Sequence, residues 1–452
     1  MPKNKKILFK SLIQASAAGL MTIIIYQFFY TEFIRPNVED SAFDTTSWFT
    51  LSYTQTETQN NNVFLLLIDN KYLKSKELLD ENDETNYGYI LPRKYIADII
   101  SDIDLLVEDL DAENYPHSLF LDYDFSYLSD PNNKTPTKDD LRLLATLKEK
   151  RPYVIYIPMT SNYNFIYQSK DKDIQELIKK KKLRFVSVGL TIAGDGVSRR
   201  YYPYEIYKDN TNKKSKFLNI AVELWLEQNN LDKNISNSFL KEKQALIENR
   251  IIFKNNSIIE NVTEYTSWQS NWSKLSSFSA NYPLDMIYEE SLKNSILMVG
   301  AAHTESKDIF GIDAYSKEIS GVEMHANALM TLNYLNGKLQ KLPLVRSFFI
   351  IFTTVFIVSF LLYTINQTLY LRLCRYKIRT MKGTIKKAMI SYFIPSVDTL
   401  LVIISILILA IISYGYLISD MHYWFNWMIP AMMSAPYLLI MGIKNLIKKR
   451  RD

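Results

Sequence analysis

Three acidic residues stand where predicted strands end, at positions that could carry chemistry. Asp69 directly follows the apolar run Val63-Phe-Leu-Leu-Leu-Ile, while Asp122 and Asp124 close the run that begins at Ser118. Because the carboxyl ends of parallel strands meet at one edge of an open α/β sheet, we expect these carboxylates to lie close together. Their oxygens would suit a hard cation. The alternative is that they cap the helices that follow or close turns.

Two histidines accompany the last predicted strand. His303 follows Gly300-Ala-Ala in a predicted loop near Asp308, and a histidine beside carboxylates can form a metal or acid–base site. An exposed loop histidine without a chemical role is the alternative. His325 lies on a predicted helix with Gly321 four residues before it, so the HExxH spacing of a zinc enzyme is missing. We therefore predict a buried, hydrogen-bonded structural histidine there.

Two adjacent arginines, Arg199 and Arg200, follow the predicted turn Gly194-Asp-Gly. Their guanidinium groups could clamp an anionic ligand, or they could pair with local acids. The turn is not a phosphate loop, since no Gly-Lys opens a helix after it. The sequence also has no serine nucleophile elbow. The chain is predicted to carry no catalytic residue, no metal and no cofactor.

The elements that would position these residues alternate between short apolar strands and amphipathic helices, a pattern typical of crossover-connected strands. The fold class is predicted as α/β, with a mixed sheet and crossover helices. The polar segment 229–283 is interpreted as an insertion of short helix and strand pieces. The predicted strands are 63–69, 118–124, 153–157, 184–190, 197–202 and 295–300, and the predicted helices are 93–106, 139–148, 217–227, 284–292 and 322–335.

Four apolar runs divide the chain, and each is about as long as the roughly 20-residue helix that crosses a bilayer. Basic residues collect in the N-terminal tail, in the segment after the second run and in the C-terminal tail, which places these three segments in the cytoplasm. Both termini are then inside, and the large domain, residues 32–343, lies outside. The predicted spans are 11–31, 344–366, 397–418 and 424–443, and the basic cytoplasmic segments are 1–10, 367–396 and 444–452.

The first apolar run is predicted to be an anchor rather than a signal peptide, because no small-residue cleavage site follows it. The one cysteine, Cys374, falls in a predicted cytoplasmic loop. An exported domain of about 300 residues without disulfides indicates a bacterial envelope. The predicted location is the bacterial inner membrane, with the large domain in the periplasm.

The formal net charge of +5 comes from 53 basic and 48 acidic residues. Sixteen of the basic residues but only one acidic residue lie in the three predicted cytoplasmic segments, so the remainder of the chain is acidic. An acidic surface repels phosphate backbones, which excludes nucleic acid as a partner. The basic segments are predicted to contact the lipid bilayer.

The order of several motifs resembles the CHASE domain of the second type, an extracytoplasmic sensor module of bacterial histidine kinases and nucleotide cyclases. The resemblance implies an extracytoplasmic ligand-binding domain, with Arg93 and Asp308 as candidate ligand residues and Gly300 and Gly321 as structural positions. Asn70 and Ile90 depart from the acidic residue and the tryptophan that the family usually has there. The matching pieces are Gly88-Tyr-Ile-Leu-Pro-Arg93, Leu121-Asp-Tyr-Asp-Phe-Ser126, Gly194-Asp-Gly-Val-Ser-Arg-Arg200, Phe217-Leu-Asn-Ile-Ala221, Ile296-Leu-Met-Val-Gly-Ala-Ala302, Asp308 and Gly321-Val-Glu-Met-His-Ala-Asn-Ala-Leu329.

Family members that are kinases or cyclases carry an output domain after the last span, where this sequence has Lys448-Lys-Arg-Arg-Asp. The expectation is a non-catalytic membrane protein that senses a ligand or envelope component and relays it to, or docks, a separate partner protein or a second copy. A scaffold subunit of a bacterial envelope complex is the alternative. A periplasmic hydrolase is a more distant one.

Overall fold

The computed structural model describes parts of two compact units. One unit comprises Tyr53–Leu339, and the other comprises Met1–Ser52 with Gln340–Asp452. The described residues are 62–82, 84–87, 91–130, 135–192, 197–208, 214–231, 245–246, 274–279, 292–303, 305–306, 308–311, 318–334, 337, 340–341 and 344–376, with scattered residues at 5–20 and 407–424.

Short strands and helices alternate along the described residues. The helices are α1 (Asn70–Ser75), α2 (Arg93–Glu108), α3 (Lys138–Leu147), α4 (Lys172–Lys179), α5 (Ile220–Gln228), α6 (Gly321–Tyr334) and α7 (Leu344–Tyr376), with a 3₁₀ turn at Ala112–Asn114. The strands are β1 (Asn62–Ile68), β2 (Ser118–Asp122), β3 (Val154–Pro158), β4 (Leu183–Val186), β5 (Leu190–Ile192), β6 (Ser198–Tyr201), β7 (Tyr204–Lys208), β8 (Lys214–Leu218), β9 (Ala245–Leu246), β10 (Lys274–Ser279), β11 (Ile296–Ala301), β12 (Ile309–Gly311), β13 (Glu318–Ser320), β14 (Gln340–Lys341) and β15 (Tyr423–Trp424).

A six-stranded sheet forms the centre of the first unit, with the strand order β10-β1-β11-β2-β3-β4. Every pairing in it is parallel, as in the register Val63↔Ile296 and Ile296↔Ser118. The predicted mixed sheet is therefore wrong for the main sheet. The antiparallel pairings belong to the smaller sheets β5-β6-β9, β7-β8 and β12-β13.

Helices cover both faces of the main sheet, which explains why its central strands are almost wholly apolar. Leu66 and Val299 point to the face that packs on α2, α3 and α4. Their neighbours Leu65 and Met298 point to the other face, which packs on α5 and α6. The alternation follows from the two-residue period of a strand, and the result is a three-layer α/β/α domain.

Side-chain hydrogen bonds cap the N-termini of several of these helices. Asp69 is the N-cap of α1, and its Oδ1 accepts from the Tyr72 amide at 2.9 Å. Thr137 and Asp140 form a capping box at the start of α3. Asn219 caps α5, so this helix begins at Ile220. The predicted start at residue 217 is wrong, since Phe217 pairs with Glu205 in the β7–β8 hairpin.

One strand prediction fails where the chain leaves the main sheet. The predicted strand 184–190 is two strands: β4 ends at Val186 beside β3, and β5 starts at Leu190 and pairs with β6. The segment 229–283, in which short helix and strand pieces were predicted, contributes the edge strand β10, which pairs with β1 in the main sheet. Of the six residues of β10, only Leu275 and Phe278 are large and apolar, so the sequence gives a weak strand signal there.

The described part of the second unit consists mainly of α7, which contains the predicted span 344–366. Its phenylalanines stack at four-residue intervals through Phe348, Phe352, Phe356 and Phe360. Side chains of α7 are described to Leu361 and at Thr364. Within the described residues, no helix qualifies as a membrane span, so the four spans stay a prediction. The predicted spans 397–418 and 424–443 and the helix 284–292 fall almost wholly outside the described residues.

Candidate functional site

A cleft of about 1150 Å³ opens at the carboxyl edge of the main sheet. Parallel α/β sheets bind ligands at this edge, because the loops that leave the strands diverge there. The ends of β2, β3 and β11 form its floor. Its described lining consists of Thr85, Tyr87, Leu91, Arg93, Asp122, Tyr123, Asp124, Tyr127, Pro158, Thr160, Val188, Leu190, Ile192, Ala301, His303, Glu305, Ser306, Asp308, Phe310 and His325.

Asp122, the last residue of β2, is the most enclosed acid of the cleft. Its Oδ2 atom has no hydrogen-bond partner among the described residues. Burial, followed by the nearby charge of Asp308, raises the pKa of the Asp122 carboxyl well above its ordinary value.

Asp308 lies in the loop before β12 and faces the same floor. Its backbone is fixed on both sides, because its carbonyl accepts from the Gly321 amide at 2.8 Å and its amide donates to Ser306 Oγ at 3.2 Å. Burial raises the pKa of the Asp308 carboxyl to about 7. Asp122 and Asp308 are thus two neighbouring acids, and the charge of Asp308 disfavours the ionised form of Asp122.

Two glycines allow this close packing. A Cβ atom on Gly321 would overlap the Asp308 carboxylate, closer than side chains approach in proteins. A Cβ atom on Gly300 would lie 2.5 Å from Val322 Cβ, where β11 meets the first turn of α6. Gly321 is the first residue of α6, and its position leaves no room for a side chain.

His325 lies one turn into α6 and lines the floor of the cleft, with a side chain that is 3% exposed. Burial lowers the pKa of the imidazole to about 3, so the ring is neutral. Its Nε2 lies 3.8 Å from Asp122 Oδ2, and its edge contacts the Phe120 ring with centroids 5.8 Å apart. Nδ1 has no hydrogen-bond partner among the described residues. The predicted burial is observed, but the predicted hydrogen bond is not found for Nδ1 among the described residues, and the ring also borders the cleft.

Tyr87 and Tyr123 add two hydroxyl groups without hydrogen-bond partners in the described part of the chain. Burial is the main cause of the raised pKa of both phenols, and Asp122 and Asp308 add to the shift at Tyr123. These tyrosines were not among the residues predicted from the sequence. The position of Tyr123 between Asp122 and Asp124 was the available signal.

Arg93 opens α2 and is almost completely buried, at 1% exposure. Its guanidinium donates to the Asp124 carbonyl oxygen and lies 4.6 Å from the centre of the Phe125 ring. Burial lowers the pKa of Arg93 to about 10, against the opposing charges of Asp140 and Asp124, so the group stays charged. The charge is held within the wall of the cleft by these contacts.

The remaining polar groups stand at the rim. Asp124 Oδ1 accepts from the Ser126 amide at 2.8 Å and from Thr160 Oγ1 at 2.5 Å. Glu305 accepts from both the amide and the hydroxyl of Thr85. His303 Nδ1 is 3.4 Å from the Ile68 carbonyl oxygen, and burial lowers the pKa of its ring.

Comparison with protein families decides the identity of this fold. The model of the CHASE2 domain matches residues 18–363. The chain belongs to the CHASE2 family. Family members use this domain as an extracellular sensory module. No significant match is found among curated proteins or among solved structures.

The CHASE2 domain brings together five of the eight predicted ligand residues: Arg93, Asp122, Asp124, His303 and Asp308 all line the cleft. The other three are absent from its described lining. Asp69 caps α1, and Arg199 and Arg200 are buried on β6.

The three-carboxylate cation site considered for Asp69, Asp122 and Asp124 does not form. Asp69 caps α1, while Asp122 and Asp124 line the cleft. Among the described residues of the CHASE2 chain, no group of three or more His, Cys, Asp or Glu side chains is placed to hold a metal ion. A small organic ligand suits the cleft better, since it has mainly apolar walls and a few convergent polar groups.

Proposed function

We propose that this CHASE2 protein is a membrane-anchored sensor that binds a small ligand in the cleft and relays its presence to a separate partner protein. One observation carries the proposal. The floor of the cleft holds buried polar atoms, on Asp122 and His325, that have no hydrogen-bond partner among the described residues. An unsatisfied buried polar atom costs about 1–3 kcal/mol, which a bound ligand would recover.

A route for the relay is supported by the position of α6. This helix begins with Gly321 against Asp308, carries His325 at the cleft floor, and ends at Tyr334. The next long helix along the chain is α7, from Leu344. A ligand that contacts Asp308 or His325 would bias the position of α6, and thereby the segment that leads to the predicted membrane span.

The membrane anchor is supported by apolar side chains that α7 leaves exposed. Val345, Phe349, Ile357 and Leu361 are each roughly half exposed or more. Large apolar surfaces on one helix indicate contact with lipid or protein. The sequence adds basic segments beside each predicted span, which favours both termini in the cytoplasm and the sensory domain in the periplasm.

The test uses two matched substitutions on exposed apolar strand residues. Ile192 lines the cleft and is 63% exposed, whereas Ile206 is 54% exposed and is not in the described lining. Ile192→Trp should fill the cleft mouth, and Ile206→Trp should leave it open. Each full-length protein is purified from its native membrane, and co-purifying proteins are quantified by mass spectrometry.

If the protein is a sensor, one partner should be recovered with the wild type and with Ile206→Trp. The amount of this partner should change by at least about threefold with Ile192→Trp. Equal recovery from all three proteins would favour the scaffold function, because docking would then be independent of the cleft. Recovery of a single chain with no partner and no second copy would contradict both functions.

A further inference from the structure

The described lining of the cleft has an excess of acidic groups. Four carboxyl groups border it, on Asp122, Asp124, Glu305 and Asp308. Arg93 is the one Lys or Arg in that described lining, and its charge is engaged by the Asp124 carbonyl and the Phe125 ring. A cleft lined by one sign of charge attracts ligands of the opposite sign.

The acidic pair at the floor is the part of this charge most sensitive to a ligand. Asp122 and Asp308 are both enclosed, and the charge of Asp308 disfavours ionisation of Asp122. Two enclosed neighbouring carboxyls can be neutralised by a proton or by a cation placed between them. His325 supplies no positive charge, because its ring is neutral.

A second observation points to a ligand at the same place. His325 is 3% exposed, lines the cleft and has an Nδ1 atom with no partner among the described residues. The Tyr123 hydroxyl is likewise unpartnered within the described chain. A ligand with several N–H donors could therefore bond to Asp122, Asp308 and His325 together. An ammonium group has three such donors.

We propose that the cleft binds an organic cation, a protonated amine on an apolar or aromatic body, with its ammonium group between Asp122 and Asp308. The assignment rests on the proposed sensor function and names its ligand class. It does not require a metal, a cofactor or a covalent step. Arg93 would exclude a second positive charge from the deep wall beside Phe125.

The walls of the cleft suit the body of such a ligand. Tyr87, Tyr127 and Phe310 present aromatic rings to the cleft, and aromatic faces attract cations within about 6 Å. Leu91 and Leu190 add aliphatic surface. The volume of about 1150 Å³ holds more than an ammonium group alone, since drug-sized ligands occupy roughly 300–1,000 Å³.

Proton release accompanies this binding. The pKa of Asp308 is about 7, and an ammonium group beside it would lower that pKa. Binding of the cation should therefore displace a proton and weaken as the pH falls below about 7. The other titratable groups that line the cleft around the Asp122–Asp308 pair are Tyr87, Arg93, Tyr123, Asp124, Tyr127, His303, Glu305 and His325.

The experiment compares three probes of similar size: benzylamine, benzyl alcohol and benzoate. Each is titrated into the full-length purified protein at pH 8, and binding is followed by ligand-observed NMR. Benzylamine should bind at least about tenfold more tightly than benzyl alcohol, and benzoate should bind least. The affinity for benzylamine should fall by up to about tenfold per pH unit below the pKa of Asp308.

Two cleft variants and one control sharpen the test. Asp122→Asn and Asp308→Asn should each weaken benzylamine binding by at least about tenfold, since each removes a negative charge from the ammonium position. Glu108→Gln should leave it unchanged, because Glu108 is exposed at the far end of α2 from Arg93. Circular dichroism of each variant checks folding, and the pH titration of the wild type tests the same point without any variant.

Other results would overturn the cation assignment. Equal binding of benzyl alcohol, unchanged by Asp122→Asn and Asp308→Asn, would show a ligand site for neutral molecules and leave the sensor function standing. Tighter binding of benzoate would assign the site to anions through Arg93. Binding of no probe would overturn the assignment, whereas the sensor function is judged separately by the Ile192→Trp and Ile206→Trp pair.

Discussion

The carboxylate of Asp308 lies directly against the backbone of Gly321, in the space that a Cβ atom would occupy at that glycine. The Gly321 amide also donates to the Asp308 carbonyl at 2.8 Å. One contact therefore fixes both the start of α6 and one of the two acids of the cleft floor.

Gly321→Ala should destabilise the full-length protein by about 1–3 kcal/mol, because the added methyl group must displace the Asp308 side chain. Thermal unfolding measures the loss. The double variant Gly321→Ala with Asp308→Ala removes the overlapping carboxylate, so it should recover part of the loss in a double-mutant cycle. An unchanged melting temperature for Gly321→Ala would show that the contact is not constraining.

Much of the layered core could be predicted from the sequence, because β1, β2, β3 and β11 are apolar runs that need cover on both faces. The edge strand β10 could not. Its residues alternate poorly, and only its pairing with β1 makes it a strand. The parallel direction of the whole sheet also depends on long-range pairing rather than on local pattern.

The residues of the cleft could likewise be predicted only in part from the sequence. Strand-end positions identified Asp122 and Asp124, and the family resemblance identified Arg93 and Asp308. Asp69 ends a strand as well, yet its carboxylate turns back to the Tyr72 amide. Tyr87 reaches the cleft from a loop outside any predicted element, so no strand-end rule could find it.

Asp308→Asn should change how stability depends on pH. The folded-state pKa of Asp308, about 7, lies above the ordinary value of an aspartate. This group therefore favours folding fully at acidic pH, and its contribution falls as the pH rises from about 4 to about 7.

Asparagine does not ionise, so the Asp308→Asn variant should lose less stability than the wild type between pH 5 and pH 8, by about 1–4 kcal/mol. Urea unfolding at both pH values measures the difference. Glu108→Gln is the control and should follow the wild type. Parallel pH profiles for wild type and Asp308→Asn would contradict the burial of this carboxyl.

Arg93→Lys should destabilise the protein by about 1–3 kcal/mol. Lysine retains the charge but lacks the planar group that lies on Phe125 while donating to the Asp124 carbonyl. Arg142→Lys is the matched control, since Arg142 pairs with Asp98 at the surface, where such pairs contribute at most about 1 kcal/mol. Equal losses for the two variants, measured by urea unfolding, would argue against a structural role of Arg93.

The predicted topology has its own test. A reporter that is active only in the cytoplasm should be active when fused after Asp452 or within residues 380–387, because basic segments remain inside. The same reporter inserted near residue 256 should be inactive. Activity near residue 256 would put the sensory domain on the cytoplasmic side and contradict the predicted orientation.

The most direct measurement of the central claim is calorimetric titration of benzylamine into the full-length protein at pH 6.5, in two buffers that differ in ionisation enthalpy. Occupation of the Asp122–Asp308 floor by a cation predicts that binding releases about half a proton or more, because the pKa of Asp308 is about 7 before binding. The observed heat should then differ between the buffers, and the difference should become smaller in Asp308→Asn. Binding heat that is identical in both buffers would contradict the account.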